Sequence, residues 1–99
     1  MIALKMEYLV ERIVKEPDLQ PSRVSVYLAM LQLWKEQKHS NPFQISRSKI
    51  MKLSGIKSIV TYHTCISELK DRGMVDYRPS YHPRTGSSCK LLMHKKKLT

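Results

Sequence analysis

The sequence is short of acid, of cysteine and of large aromatic rings, and each shortage removes a class of function. Only eight Asp and Glu stand among 99 residues. In the second half they are Glu68, Asp71 and Asp76, too few and too scattered for a hydrolytic or two-metal carboxylate site. Two cysteines, Cys65 and Cys89, with no Cys-x-x-Cys spacing, argue against a disulfide scaffold and against structural zinc. Both fall on apolar stripes, whereas a nucleophilic thiolate needs an exposed, electropositive niche. An enzyme is therefore not expected, and neither is a cofactor, a metal or a small-molecule ligand. A single Phe and a single Trp leave little for the stacking platforms of RNA-binding modules. Long apolar runs are missing too. The uncharged stretch from Val24 to Trp34 falls far short of the roughly 20 residues that span a bilayer. The first residues lack the pattern of a secretory leader. The expectation is a cytoplasmic, nucleoid-associated protein.

What the chain has is positive charge. Lys and Arg number 18, for a net charge of +10. Residues 1–42 hold six basic and five acidic side chains, whereas residues 43–99 hold twelve and three. A basic field confined to one half suits a polyanion, because cations that neutralise phosphates release condensed counterions. An acidic protein or an anionic membrane surface would share that attraction. Hydrophobic residues make up 41%, enough for the core of one domain spanning residues 1–99.

Periodicity divides the chain. Ile2, Met6, Leu9, Val10 and Ile13 form a one-sided stripe, which predicts an N-terminal helix over 1–16 that Pro17 stops. A second helix runs from Pro21 to about Lys38. It carries one stripe of Val24, Tyr27, Leu28, Leu31 and Trp34 and another of Val26, Met30 and Leu33, so it needs two partners. His39-Ser40-Asn41-Pro42 reads as a loop and Phe43-Gln44-Ile45 as a minor strand. Ser46 caps a short helix that ends at Gly55. A further helix, Ser58 to Arg72, buries Tyr62, Cys65, Ile66 and Leu69 and turns Ser58, Thr61, His63, Thr64 and Ser67 outward. Short hydrogen-bonding residues on that face let the helix approach a surface closely. Strands at Met74–Arg78 and Cys89–Met93 enclose a basic, proline-bounded loop and make a hairpin. Residues 94–99 are a basic tail.

Two short helices on a tight glycine turn, followed by a basic hairpin, are the ingredients of a winged helix-turn-helix, whose second helix fits the major groove. Gly55 to Val75, with Thr61-Tyr62, Ile66, Leu69 and Gly73-Met74-Val75, resembles the recognition-helix-to-wing segment of winged-helix regulators. Ile45-Ser46-Arg47, Thr61-Tyr62-His63, Tyr77-Arg78-Pro79-Ser80-Tyr81 and Gly86-Ser87 look like small winged-helix proteins of bacterial mobile elements, those of the Bacteroidetes in particular. The resemblance covers residues 21–93. It implies a mainly α fold with a small β-hairpin, a winged helix-turn-helix with an added N-terminal helix. It also implies sequence-specific binding of double-stranded DNA in transcription regulation or another DNA transaction.

Carried onto this sequence, the resemblance makes Ser58, Thr61, His63, Thr64 and Ser67 candidate groove contacts, with Lys57 on phosphate at the helix entrance. Ser58 serves equally as an N-cap, and His63 equally as an ordinary exposed imidazole. Arg47, Ser48 and Lys49 either clamp a phosphate at the preceding helix start or are solvated surface. In the wing, Arg78, His82, Arg84 and Lys90 are placed to follow the backbone or enter the minor groove. The second apolar side of the 21–38 helix and the N-terminal stripe raise the expectation of a homodimer, unless the two helices satisfy each other within one chain. An RNA-binding or protein-adaptor module on the same fold is the alternative.

Overall fold

A proline opens the longest helix. The computed structural model describes residues 6–79 and 87–92, and in it Pro21 begins α2 (Pro21–Glu36), where its missing N–H would have had no helical partner anyway. Val26, Tyr27, Ala29, Met30, Leu31, Leu33 and Trp34 of this helix are all buried. A helix apolar on two sides has to be wrapped rather than laid on a surface. The wrapping elements are α1 (Met6–Lys15), β1 (Phe43–Ile45), α3 (Arg47–Ser54) and α4 (Ile59–Asp71), each of which packs against α2. The helix stops at Glu36, short of Lys38, because Lys38 and His39 adopt left-handed φ angles of 60° and 61°. The His39 amide then donates to the Trp34 carbonyl at 2.9 Å. Its ring meets the buried Trp34 indole edge-on, with centroids 4.5 Å apart.

Leu9 and Ile13 of α1 are buried in the same core as α2, with Met6 and Val10 partly buried beside them. The N-terminal stripe thus finds its partner within the chain. The surface on which a homodimer was expected is largely covered, since of the two α2 stripes only Leu28 is exposed. Ile2 lies outside the described residues. Two arginines fasten the C-terminal end of α1 to the rest of the fold. Arg12 donates from Nη1 to the Leu92 carbonyl at 2.7 Å and from Nη2 to the Gly73 carbonyl at 3.4 Å. Arg72, just past α4, reaches Glu16 at 2.9 Å and the Pro17 carbonyl at 2.8 Å.

The sequence led us to expect a two-stranded hairpin and a separate minor strand. The structure instead joins them into one three-stranded antiparallel sheet, in the order β1-β3-β2, from β1, β2 (Val75–Arg78) and β3 (Ser87–Leu91). Phe43, Gln44 and Ile45 oppose Cys89, Ser88 and Ser87, while Val75 and Tyr77 oppose Leu91 and Cys89. Ser87 and Ser88 have loop composition yet are strand, because Ile45 pairs with the first and both Gln44 and Arg78 with the second. Phe43, Ile45, Val75, Cys89 and Leu91 are buried whereas Gln44, Arg78 and Lys90 are exposed, so the sheet has one core face and one wet face. The fold is mostly helical, with four helices and this sheet among the described residues.

Two side-chain amides complete the β1 backbone pairing. Asn41, before β1, donates from Nδ2 to the Leu91 carbonyl and accepts from the Leu91 amide, both at 2.9 Å, so it stands in for one more residue of the ladder. Gln37 does the same for the outer edge, taking the Gln44 amide at 2.9 Å and giving a hydrogen bond to its carbonyl at 2.7 Å. That edge is closed to a further strand. Asn41→Ala leaves two backbone groups of buried Leu91 unpaired and is expected to cost about 1–3 kcal/mol in urea denaturation. Gln37→Ala, whose bonds face water, should change stability by about 0.5 kcal/mol or less. Equal losses would contradict this account of the strand.

Candidate nucleic-acid interface

Hydroxyl caps and one glycine set the α3–α4 unit. Ser46 is extended, and its Oγ accepts from the Lys49 amide at 3.3 Å, so α3 begins at Arg47. Gly55 closes α3 with φ +78°, its amide donating to the Met51 carbonyl at 2.9 Å. A Cβ there would meet open space, so glycine is needed for its backbone angle alone. Ser58 then caps α4, its Oγ accepting from the Thr61 amide at 3.2 Å. Neither helix has an acidic residue in its first turn. Two positive helix ends therefore lack the carboxylates that commonly offset them, and Arg47, Lys49 and Lys57 are exposed around them.

Tyr62, Cys65, Ile66 and Leu69 are buried, which points the opposite side of α4 outward. On it His63, Thr64 and Ser67 are exposed; Thr61 is half-buried at its flank, and Ser58 is exposed at the cap. His63 meets the Tyr62 ring edge-on at 5.2 Å. Burial raises the Tyr62 phenol well above its ordinary pKa, while the Arg47 charge acts on it in the other direction. Ser48 Oγ lies 2.9 Å from Ser46 Oγ. On the sheet, Arg78 and Lys90 are both exposed, and Arg78 is 3.4 Å from Asp76. His82, Arg84 and the basic tail lie outside the described residues.

Two features of this face differ from the sequence expectation. Thr64 was expected as a free hydrogen-bonding group, but its Oγ1 donates to the Val60 carbonyl at 2.9 Å, as threonine in a helix often does. What Thr64 leaves for a partner is its methyl and the acceptor side of Oγ1. The second feature is Val60 itself, 75% exposed, next to Ile59 at 49%. The residue pattern carried the signal, since Val60 is out of step with Tyr62, Cys65, Ile66 and Leu69. It lies three and four residues before His63 and Thr64 and seven before Ser67, at the centre of the outward side.

Three arginines, Arg12 as described above with Arg23 and Arg72, are committed to the fold rather than to a ligand. Arg23 Nε bonds Glu68 Oε1 at 2.7 Å, and Arg72 bonds Glu68 Oε2 at 2.9 Å as well as Glu16. This chain ties the start of α2 and the α1–α2 turn to the end of α4. The Glu68 carboxyl is held below the usual carboxylate range, first by its hydrogen bond from Arg23, against the opposing effect of burial, and then by Arg72. The acid nearest the polar face is thus neutralised inside the fold.

Cys65 and Cys89 are both free and buried. Burial, with the Asp76 charge nearby, pushes the Cys89 thiol up to about 12. Among the described residues no three of His, Cys, Asp and Glu are grouped to hold a metal ion, and no helix is long and apolar enough to cross a membrane. Shallow hollows lie elsewhere among the described residues. One, of about 310 Å³, runs along α1 by Tyr8, Glu11 and Lys15; another, of about 240 Å³, lies between α2 and α3 by Leu28, Gln32 and Leu53.

Because the Glu68 pKa is lowered by folding, its contribution is full above the ordinary carboxylate range and is lost as pH falls through its depressed value. Glu68→Gln should therefore be less stable than the parent at pH 7 and show a shallower loss of stability on acidification, in denaturant titrations at a series of pH values. Parallel acid limbs would remove the network from the account. Both thiols should resist Ellman's reagent in the native protein at pH 8 and react together in guanidinium; rapid native labelling of Cys89 would contradict its burial.

No family model, no curated protein and no solved structure matches this chain.

Proposed function

We propose that the chain is a winged helix-turn-helix that binds double-stranded DNA sequence-specifically, in transcription regulation or another DNA transaction of a mobile element. In this reading α3, the Gly55 turn and α4 are the helix-turn-helix, α4 enters the major groove, and the β2–β3 hairpin is the wing. The observation that carries it is the outward side of α4 from Ser58 to Ser67, which has no acid, no long charged side chain and no role in the core. A merely solvated helix face is usually richer in Glu and Lys. Its acidic neighbour Glu68 is bound by two arginines, and Asp71, exposed at the far end, puts the N-terminal half of α4 nearest the bases. Recognition helices present that end to base edges.

Long cations stand at the starts of α3 and α4. Lys57 at the α4 entrance and Arg47 and Lys49 on the first turn of α3 are exposed beside uncompensated helix ends, which favours phosphate. They hold the duplex, and His63, Thr64 and Ser67 read it. Against RNA stand most of the described aromatics, since Tyr27, Trp34, Phe43 and Tyr62 are buried and unavailable for stacking, with Tyr77 half-buried and Tyr8 exposed on α1.

The test is equilibrium binding of the purified chain to labelled duplex over a range of salt. With about five phosphates neutralised, log K should fall against log salt with a slope near −4 to −5, at roughly −0.9 per phosphate. Lys57→Ala should lower that slope by about one unit on any sequence, whereas His63→Ala should cost about 1–3 kcal/mol on a selected site and much less on random duplex. A flat salt response, or tighter binding to a structured RNA of equal charge, would overturn the reading.

A further inference from the structure

The middle of the proposed DNA-facing side of α4 is apolar. Val60 is 75% exposed and Ile59 beside it 49%, while the Thr64 hydroxyl is turned back onto the Val60 carbonyl at 2.9 Å. Val60 and Thr64 are neighbours on the helix surface, four residues apart. One exposed valine is ordinary on any protein. Here two adjoining β-branched side chains and a threonine methyl share the first turns of one helix, with the exposed Lys57 at its entrance. Hydrogen-bonding capacity is correspondingly reduced. Ser58 Oγ accepts from the Thr61 amide and the Thr64 donor is spent.

An apolar spot with a cation, Lys57, at the entrance of its helix fits a partner that is anionic at its rim and apolar at a particular point inside. In the major groove of duplex DNA the rim is phosphate, and the apolar group that marks one base is the C5 methyl of thymine. We propose that Val60, supported by Ile59 and the Thr64 methyl, contacts thymine C5 methyls, so that α4 selects T·A pairs at one or two positions of its site. The inference rests on the reading of α4 as the helix that enters the major groove. His63 and Ser67, on the same side, supply the polar contacts to adjacent bases.

The experiment begins by selecting tight binders to the full chain from a random duplex pool. The selected duplex is then remade with deoxyuridine in place of thymidine, one position at a time. That exchange deletes the methyl and leaves the O4 acceptor and the base pairing intact. Each contacted methyl should be worth about three- to fivefold in affinity. In Val60→Ala the thymidine duplex should bind more weakly by a similar factor, and the deoxyuridine exchange should have little further effect. Val60→Thr, which keeps the shape of the side chain, should retain most of the sensitivity through its remaining methyl. Unchanged melting temperatures keep these comparisons free of folding effects, as expected for so exposed a position. Tight, salt-dependent binding with no response to deoxyuridine, full sensitivity in Val60→Ala, or a selected site without T·A pairs would each overturn thymine reading while leaving DNA binding in place. Failure to enrich any duplex would overturn both.

Discussion

Everything else in this molecule is arranged around a helix that cannot be left on a surface. α2 carries apolar side chains on more than one side, and seven of its sixteen residues are buried. Leaving a fully buried side chain of the Leu or Met class in water costs roughly 1.5–3 kcal/mol, so the chain gains most by covering the apolar sides of α2, of which only Leu28 stays exposed. α1 takes one side, α3 and α4 take others, and β1 meets it as well. Once α2 is enclosed, the positions of the two short helices and of the sheet follow, and with them which side of α4 is left to face outward.

Polar groups secure that arrangement where apolar contact ends. Arg12, Arg23 and Arg72 join elements distant in sequence, through planar, multidentate contacts that a lysine does not reproduce. Arg72 alone links Glu16, Pro17 and Glu68. The consequence is a division of labour among the cations. These arginines are spent inside the fold, together with Glu16 and Glu68, whereas Arg47, Lys49 and Lys57 stay exposed at the starts of α3 and α4. Three arginines against two glutamates leave one positive charge spent in the fold, so the net charge of +10 overstates the free positive field by that one.

On the proposed DNA face the structure shifts the chemistry from hydroxyl toward methyl. Composition alone presents Ser58, Thr61, Thr64 and Ser67 as a row of hydrogen-bonding groups. In place, Ser58 is a cap, Thr61 is half-buried, and Thr64 bonds its own helix. A hydroxyl near a helix backbone finds a carbonyl or amide partner without waiting for a ligand. What Thr64 withdraws as a donor leaves its methyl as apolar surface alongside Val60.

The helices were legible in the sequence because their signals are local. Ser46 and Ser58 as caps, Gly55 as a stop, Pro21 as an opening, and the stripe of Tyr62, Cys65, Ile66 and Leu69 all act within a turn or two of chain. Trp34 in the core was legible for the same reason. The joining of β1 to β3 was not, since strand pairing depends on residues more than forty positions away, and Ser87 and Ser88 become strand only through Ile45, Gln44 and Arg78. Nor were the amide bridges of Asn41 and Gln37, because a polar side chain gives no hint in sequence of which backbone group it will meet. Val60 lies between the two cases. Its phase on α4 was written in the sequence, but only the packing of α2, α3 and the sheet decided that no element would cover it. Local periodicity determines which side of a helix can be buried; the tertiary fold decides which remaining side stays open to a partner.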